Sequence, residues 1–236
     1  MSKTLDVWYE VKLDSALHCG SGFARGILDR AVVRDGSGDL YIPGSTIKGR
    51  TRHAAELLAL RLDLGRPCSS SRPETMCRGA SLCAVCLLFG SPAQGEKLFF
   101  DDCKLIPELR QGAFGEREKM TGQYRPHFQT WERTQVMLDR RRRVAAEGHL
   151  FSSEFGVPDL VFAGRISGRL PDTLPDSAVA PAAFLVAALC LVESLGGDRS
   201  RGVGHCRLRP QKITVDDKPD ELASLLTSLV ADARGS

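Results

Sequence analysis

Four cysteines, Cys68, Cys77, Cys83 and Cys86, fall within nineteen residues, and the last two form Cys-x-x-Cys. That spacing lets one turn present two sulfurs to a metal, and four thiolates complete a tetrahedral zinc site. The stretch between them, SSSRPETMCRGASL, is polar and carries Gly and Pro, so burial cannot hold its shape. A bound metal would supply the missing folding energy. A closed four-cysteine set leaves no position open for catalysis, so the expected role of Zn2+ is structural. The eight-residue gap from Cys68 to Cys77 leaves His53 as an alternative fourth ligand. The competing explanation is scattered buried thiols in a loop. Cys19, Cys103, Cys190 and Cys206 lie in or beside expected strands and helices, where core packing accounts for them.

A second constellation is Gly196-Gly197-Asp198-Arg199-Ser200-Arg201-Gly202-Val203-Gly204. Gly196 suits a helix C-cap. Four glycines interleaved with two arginines ask for more: glycine lets a backbone approach a ligand, and guanidinium suits phosphate oxygens. A third is YIPGSTIKGRTRH, residues 41–53, read as a strand end, a turn and a helix start capped by Ser45 or Thr46. Lys48, Arg50 and Arg52 crowd its first turns, where the helix dipole disfavours each cation by a few tenths to about 1 kcal/mol. A phosphate at that N-terminus would reconcile them; an exposed basic face screened by solvent is the alternative.

Charge is unevenly placed. The chain of 236 residues has a net charge of only +3, yet residues 110–143 hold nine Lys/Arg against four Asp/Glu, so this segment is +5 and the rest −2. A neutral body with one basic segment points to a polyanion. Arg125, Arg133, Arg140 and Arg141 are its candidate contacts. Tyr124, His127, Phe128 and Trp131 either stack on bases or pack the segment against a neighbouring subunit. Hydrophobic residues make up 42% and charged residues 26%, an ordinary globular mix. No apolar run is long enough to cross a membrane, and MSKTLDVWYEVKL lacks a signal-peptide core. The expectation is a cytoplasmic protein with no membrane partner, which favours metal ligands or free thiols over disulfides.

The positioning elements follow from periodicity. Leu5, Val7, Tyr9, Val11 and Leu13 alternate as a first strand. A Gly-rich loop, HCGSGFARGILDR, leads to a short hairpin around residues 35–38, then to a helix from Thr46 to about Leu64. Lys97–Ile106 reads as a second core strand and Asp159–Leu170 as a third, with Leu160, Phe162 and Ile166 on one face. Val179–Leu195 is an all-round apolar helix that must be buried, and Val203–Arg209, extending towards Val215, is a fourth strand. Leu222, Leu225, Leu226, Leu229 and Val230 line one face of a last helix. The order is that of an α+β fold with a ferredoxin-like (RRM-like) βαββαβ core. The expected organisation is a single domain, 1–236, with a zinc-binding insert at 66–92, a projecting thumb hairpin at 108–156 and a C-terminal helix at 219–233.

DRAVVRDGSGDLYIPGSTIKGRTRHAAELL, KLFFDDCKL and GGDRSRGVGH, in that order, resemble the RAMP-type backbone subunits of type III CRISPR effector complexes. The cysteine insert is similar to zinc modules in some branches of that family, and the basic segment lies where the family has its thumb. The resemblance implies partners: guide CRISPR RNA, target RNA, and other type III subunits, including neighbouring copies or paralogues. It also implies roles. The family's target-cleaving aspartate corresponds to Asp29, here with one extra residue, Leu28, before it. Ser45, Lys48, Arg50 and Arg52 match the element that grips the guide backbone. Gly197, Arg199, Ser200, Arg201 and Gly202 match its glycine loop, and His18 matches a loop position near RNA.

RNA carries its own nucleophile, the 2′-hydroxyl, so one aspartate can handle a proton or hold a divalent metal such as Mg2+ or Mn2+. From the residues alone, Asp29 is better explained by pairing with Arg30 or Arg34; only the resemblance raises it to a candidate catalytic group. Two further functions share this architecture: a non-cleaving guide-RNA scaffold, and a stand-alone guide-processing endoribonuclease with His18 as base.

Overall fold

Alternation along the first strand is carried into the structure without a break. In the computed structural model, which describes residues 2–68, 72–79, 81–106, 129–139, 141–175 and 177–234, β1 spans Lys3–Leu13. Leu5, Val7, Tyr9, Val11 and Leu13 point into the core, while Trp8 lies on the other face. The chain then runs through β2 (Tyr41–Ile42), α1 (Gly44–Arg61), α2 (Ala84–Phe89), β3 (Leu98–Phe100) and β4 (Cys103–Leu105). It continues through β5 (Thr130–Asp139), β6 (Val144–Gly156), β7 (Val161–Leu170), α3 (Pro181–Cys190), β8 (Cys206–Val215), β9 (Lys218–Asp220) and α4 (Leu222–Arg234).

One antiparallel sheet has the order β2–β4–β7–β1–β8–β9, with β3 also paired to β7. The first strand is therefore central: β1 pairs with β7 from Lys3 opposite Leu170, and with β8 from Leu5 opposite Val215. The all-apolar segment expected to be buried is α3, whose residues Pro181–Leu189 are all buried as it packs between α1 and α4. Each Leu, Val or Phe so buried contributes about 1.5–3 kcal/mol, and no polar position along Pro181–Leu189 offsets it. Among the described residues no helix is long and apolar enough to cross a membrane.

Two local expectations are corrected. Lys97–Ile106 is not one strand: it breaks at Asp101 and Asp102 into β3 and β4. The break has a use, because Asp102 Oδ1 accepts the backbone N–H of Gly44 at 2.8 Å. That carboxylate, and not Ser45 or Thr46, caps the start of α1; Pro43 stands at the N-cap and makes no side-chain bond. A helix start leaves donors without intrahelical partners, and here one is satisfied from 58 residues away.

The basic segment is described from residue 129 onward. There β5 and β6 pair as a separate two-stranded hairpin, with an irregular register between Val136 and Leu138. Its root is buried at Ser153, Glu154 and Phe155, whereas Val136, Met137, Leu138, Val144 and Leu150 are exposed along its outer half. Arg125, Arg140, Tyr124, His127 and Phe128 lie outside the described residues.

Candidate nucleic-acid interface and cysteine centre

Three loops and the root of the hairpin meet at one end of the sheet, and specific bonds join them in sequence. Ser194 follows α3, and its carbonyl accepts from Arg50 Nε at 3.0 Å, so the start of α1 is tied to the approach of the glycine loop. Burial, then the neighbouring Arg199 charge, pulls Arg50 below the ordinary arginine pKa. In the glycine loop, Asp198 adopts a left-handed conformation (φ 54°) and its carboxylate accepts from Arg30 at 3.1 Å and lies 3.5 Å from Arg201. Arg199, Ser200 and Arg201 form a single 3-10 turn and are exposed.

His18 sits beneath this loop. Its carbonyl accepts from Gly197 N at 2.8 Å, its Nδ1 lies 2.7 Å from the Glu154 carbonyl, and its ring lies 5.4 Å from that of Phe155. A carbonyl can only accept, so Nδ1 carries the proton. Gly196 (φ +73°) has no room for a side chain: a Cβ there would stand 2.4 Å from the His18 carbonyl oxygen. With 5% exposure, His18 is a buried junction joining the first loop, the glycine loop and β6.

Asp29 lies at the far end of this chain of contacts. Arg25 and Leu28 close a tight turn through paired backbone bonds, and Leu28, the extra residue, is buried beneath it. Asp29 is exposed, and its Oδ2 accepts the backbone N–H of Ser152 on β6 at 2.8 Å. Arg30 goes to Asp198 and Arg34 to Glu154, so neither expected local partner occupies Asp29. Beside it is a cleft of about 540 Å³ lined by Arg25, Leu28, Arg34, Glu132 and Glu154, with Ile27 and Phe23 exposed on the loop.

The four cysteines do come together. Their sulfurs all lie within 4.8 Å of one another, with Cys68 and Cys86 at 3.2 Å and Cys83 and Cys68 at 3.8 Å. Zinc at about 2.3 Å from each of four sulfurs would set them about 3.8 Å apart, so this donor set fits a tetrahedral metal. Cys83 caps α2, its sulfur accepting the Cys86 N–H at 3.5 Å. Burial pushes the Cys68 and Cys86 thiols up. Burial opposes ionisation of Cys83 too, but backbone hydrogen bonds from Cys68 and Cys86, with side-chain bonds to Cys77 and Cys68, together outweigh it and hold Cys83 below the ordinary thiol value. His53 instead lies 3.7 Å from Glu56, on the exposed side of α1.

The sequence model of the RAMP superfamily matches residues 10–207. This chain belongs to the RAMP superfamily. No curated protein matches it. Among solved structures, it resembles a chain of the type III-B Cmr-beta complex in the apo state, at 13% identity and a TM-score of 0.57, covering 87% of this chain and 97% of that one. A chain of the Cmr-beta complex bound to cognate target RNA aligns at the same identity and TM-score, covering 87% and 96%. The likeness is one of fold.

Within this RAMP chain the cations at the start of α1 are not left facing one ligand. Lys48 pairs with Glu96, Arg50 with Ser194, and Arg52 with Gly90 and Cys86. Ser45 is exposed, as are Arg133 on β5 and Arg141 at the hairpin turn, where Asp139 accepts the Arg141 N–H. Sequence reasoning overlooked Asp198, Ser152, Ser194 and Glu154, which tie the segments together. Asp198 alone had a local signal, an acid among glycines and arginines; the others act across 120 or more residues.

Proposed function

We propose that this chain is a backbone subunit of a type III CRISPR RNA-guided effector complex, binding guide RNA and cleaving complementary target RNA beside Asp29. Its core is a ferredoxin-like βαββαβ unit: β1, β4, β7 and β8 stand in the order β8–β1–β7–β4, all antiparallel, with α1 and α3 as the connecting helices. The hairpin β5–β6 is its thumb, and the cysteine insert is a structural zinc module.

One observation carries the proposal: Asp29 is latched by one oxygen to the root of the thumb and exposed, on a surface continuous through Arg30 and Asp198 with Arg199, Ser200 and Arg201. Guide phosphates would lie along Ser45 and the glycine loop, with Arg133, Arg140 and Arg141 on the thumb side and Arg125 in the segment preceding it. Arg50, Gly197 and His18 shape that track from beneath, Gly202 lies exposed beside Arg201, and Lys48 borders it. The second Asp29 oxygen can take the 2′-hydroxyl proton of the target strand; with Oδ2 held by Ser152, it is aimed and not free to swing. A divalent metal such as Mg2+ or Mn2+, if held by that oxygen, would supply charge stabilisation at the phosphate. The thumb, by separating the strands locally, would place the phosphodiester in line. Specificity comes from base pairing.

A non-cleaving scaffold is the second reading, favoured by the same bond: a carboxylate engaged by Ser152 N can be a structural latch and nothing more. In the assembled complex, Asp29→Ala and Asp29→Asn should abolish cutting of a guide-complementary RNA, a loss of about 100-fold or more, with target binding within about twofold of wild type. Unchanged cutting would leave the chain as scaffold. Cleavage of precursor guide RNA by the isolated chain would identify the stand-alone nuclease instead.

A further inference from the structure

We infer that Arg52 serves the cysteine centre, as the cation that offsets its thiolate charge and retains its metal, a role that rests on the zinc reading above. Arg52 stands on α1 one turn after Lys48, where a guide contact was expected, but its donors turn inward. Nη2 donates to Cys86 Sγ at 3.3 Å and Nη1 to the Gly90 carbonyl at 2.9 Å, while Nε lies 3.8 Å from Glu56. The side chain is only 13% exposed.

Four thiolates around a divalent ion carry a net charge of −2. Cys86 is fully buried, so no solvent dipole reaches its sulfur to share that charge. A guanidinium stays charged at any working pH and can only donate, so the sulfur it faces is held as the acceptor. Withdrawing electron density from that sulfur makes it a poorer nucleophile towards alkylating and oxidising agents while it stays bound to metal. The fork geometry matters as well. Gly90 closes α2 at a positive φ (+88°), and Arg52 grips this reversal and the Cys86 sulfur together. α2 has only six residues, so one side chain of α1 fixes both the ligand and the end of the element bearing it. Lysine offers a single point of charge and cannot span both groups.

The test uses the full chain, reduced and loaded with Zn2+ or Co2+, as wild type, Arg52→Met and Arg52→Lys. Chelator competition should show zinc affinity about 10–100-fold weaker in Arg52→Met, with Arg52→Lys in between. Zinc release on N-ethylmaleimide treatment should accelerate in the same order, and the sulfur-to-cobalt charge-transfer band should shift. A residue that merely packed would lower the melting temperature without moving that band. Arg52→Met matching wild type in affinity, release rate and band would overturn the inference. If wild type takes up no metal with its thiols reduced, the zinc reading fails and the role of Arg52 falls with it. Should Arg52→Met not fold, Arg52→Lys carries the same measurements, and a wild-type result there overturns the inference equally.

Discussion

Arg34 Nη2 donates to Glu154 Oε1 at 2.6 Å, joining the loop after Asp29 to the root of the β5–β6 hairpin. Thr130 Oγ1 and Val32 N donate to the same carboxylate, which is 5% exposed. Burial alone would raise the Glu154 pKa, but Arg34, Thr130 and Val32 together bring it below its ordinary 4.5. The stabilisation from this group is therefore complete above pH 4.5 and lost as pH falls through the lower folded-state value. Glu154→Gln should lower stability at pH 7 by about 3 kcal/mol, because it breaks the buried Arg34–Glu154 ion pair. Urea melts across pH should show wild type and variant converging in acid; a gap that persists unchanged at low pH would refute this.

Arg199 and Arg201 are exposed, whereas Arg50 is half-buried and tied to Ser194, so their substitutions should separate cleanly. Replacing both loop arginines by alanine should flatten the salt dependence of RNA binding, reducing the slope of log K against log salt by about 1.4 for two lost phosphate contacts on single-stranded RNA. Arg50→Ala should instead lower thermal stability through loss of the Ser194 bonds. Binding titrations from low to high salt check the first, and melting curves the second.

Asp102→Ala should cost about 1 kcal/mol by removing the acceptor for Gly44 N–H, with Asp102→Asn losing less. Ser45→Ala should leave stability unchanged, since Ser45 makes no capping bond. Chemical denaturation of the three variants decides between the two capping residues.

On the zinc reading, stripping the metal from the cysteine centre should loosen the insert and spare the sheet. With chelator at pH 7, protease sites should open between residues 66 and 92 while far-ultraviolet circular dichroism changes little. Lowering the pH should release metal as well, since ligand thiolates must compete with protons. Protection unchanged by chelation would mean the cysteines hold the insert without metal.

How much was legible in the sequence depended on range. β1, β7, α3 and the cysteine cluster were readable because period, apolarity and ligand spacing are local properties. The helix expected at Val179–Leu195 ends at Cys190, since residues 191–205 serve as the loop that carries Ser194 and the glycines. The division of 97–106 into two strands was unreadable, because its cause is the start of a helix far earlier in the chain. The same limit applied to Lys48, Arg50 and Arg52. Their common charge suggested a common phosphate; Arg50 lies on the other side of the helix from Lys48 and bonds Ser194, while Lys48 and Arg52, one turn apart on the same face, pair with Glu96 and with Gly90 and Cys86. Asp29 became a candidate through family likeness alone, and its bond to Ser152, which spans 123 residues, has no local signal in the sequence.

The central place of β1 bears on how the protein is made. β1 is synthesised well before the strands it pairs with among the described residues, β7 and β8, so it must wait for residues 161–170. At about 5–20 residues per second, that delay is on the order of ten seconds or more. For that time an alternating apolar ribbon stands without hydrogen-bonded neighbours, open to mispairing with other nascent chains. Slowing translation before β7 should lower the soluble yield, whereas the same pause placed after β8 should be harmless.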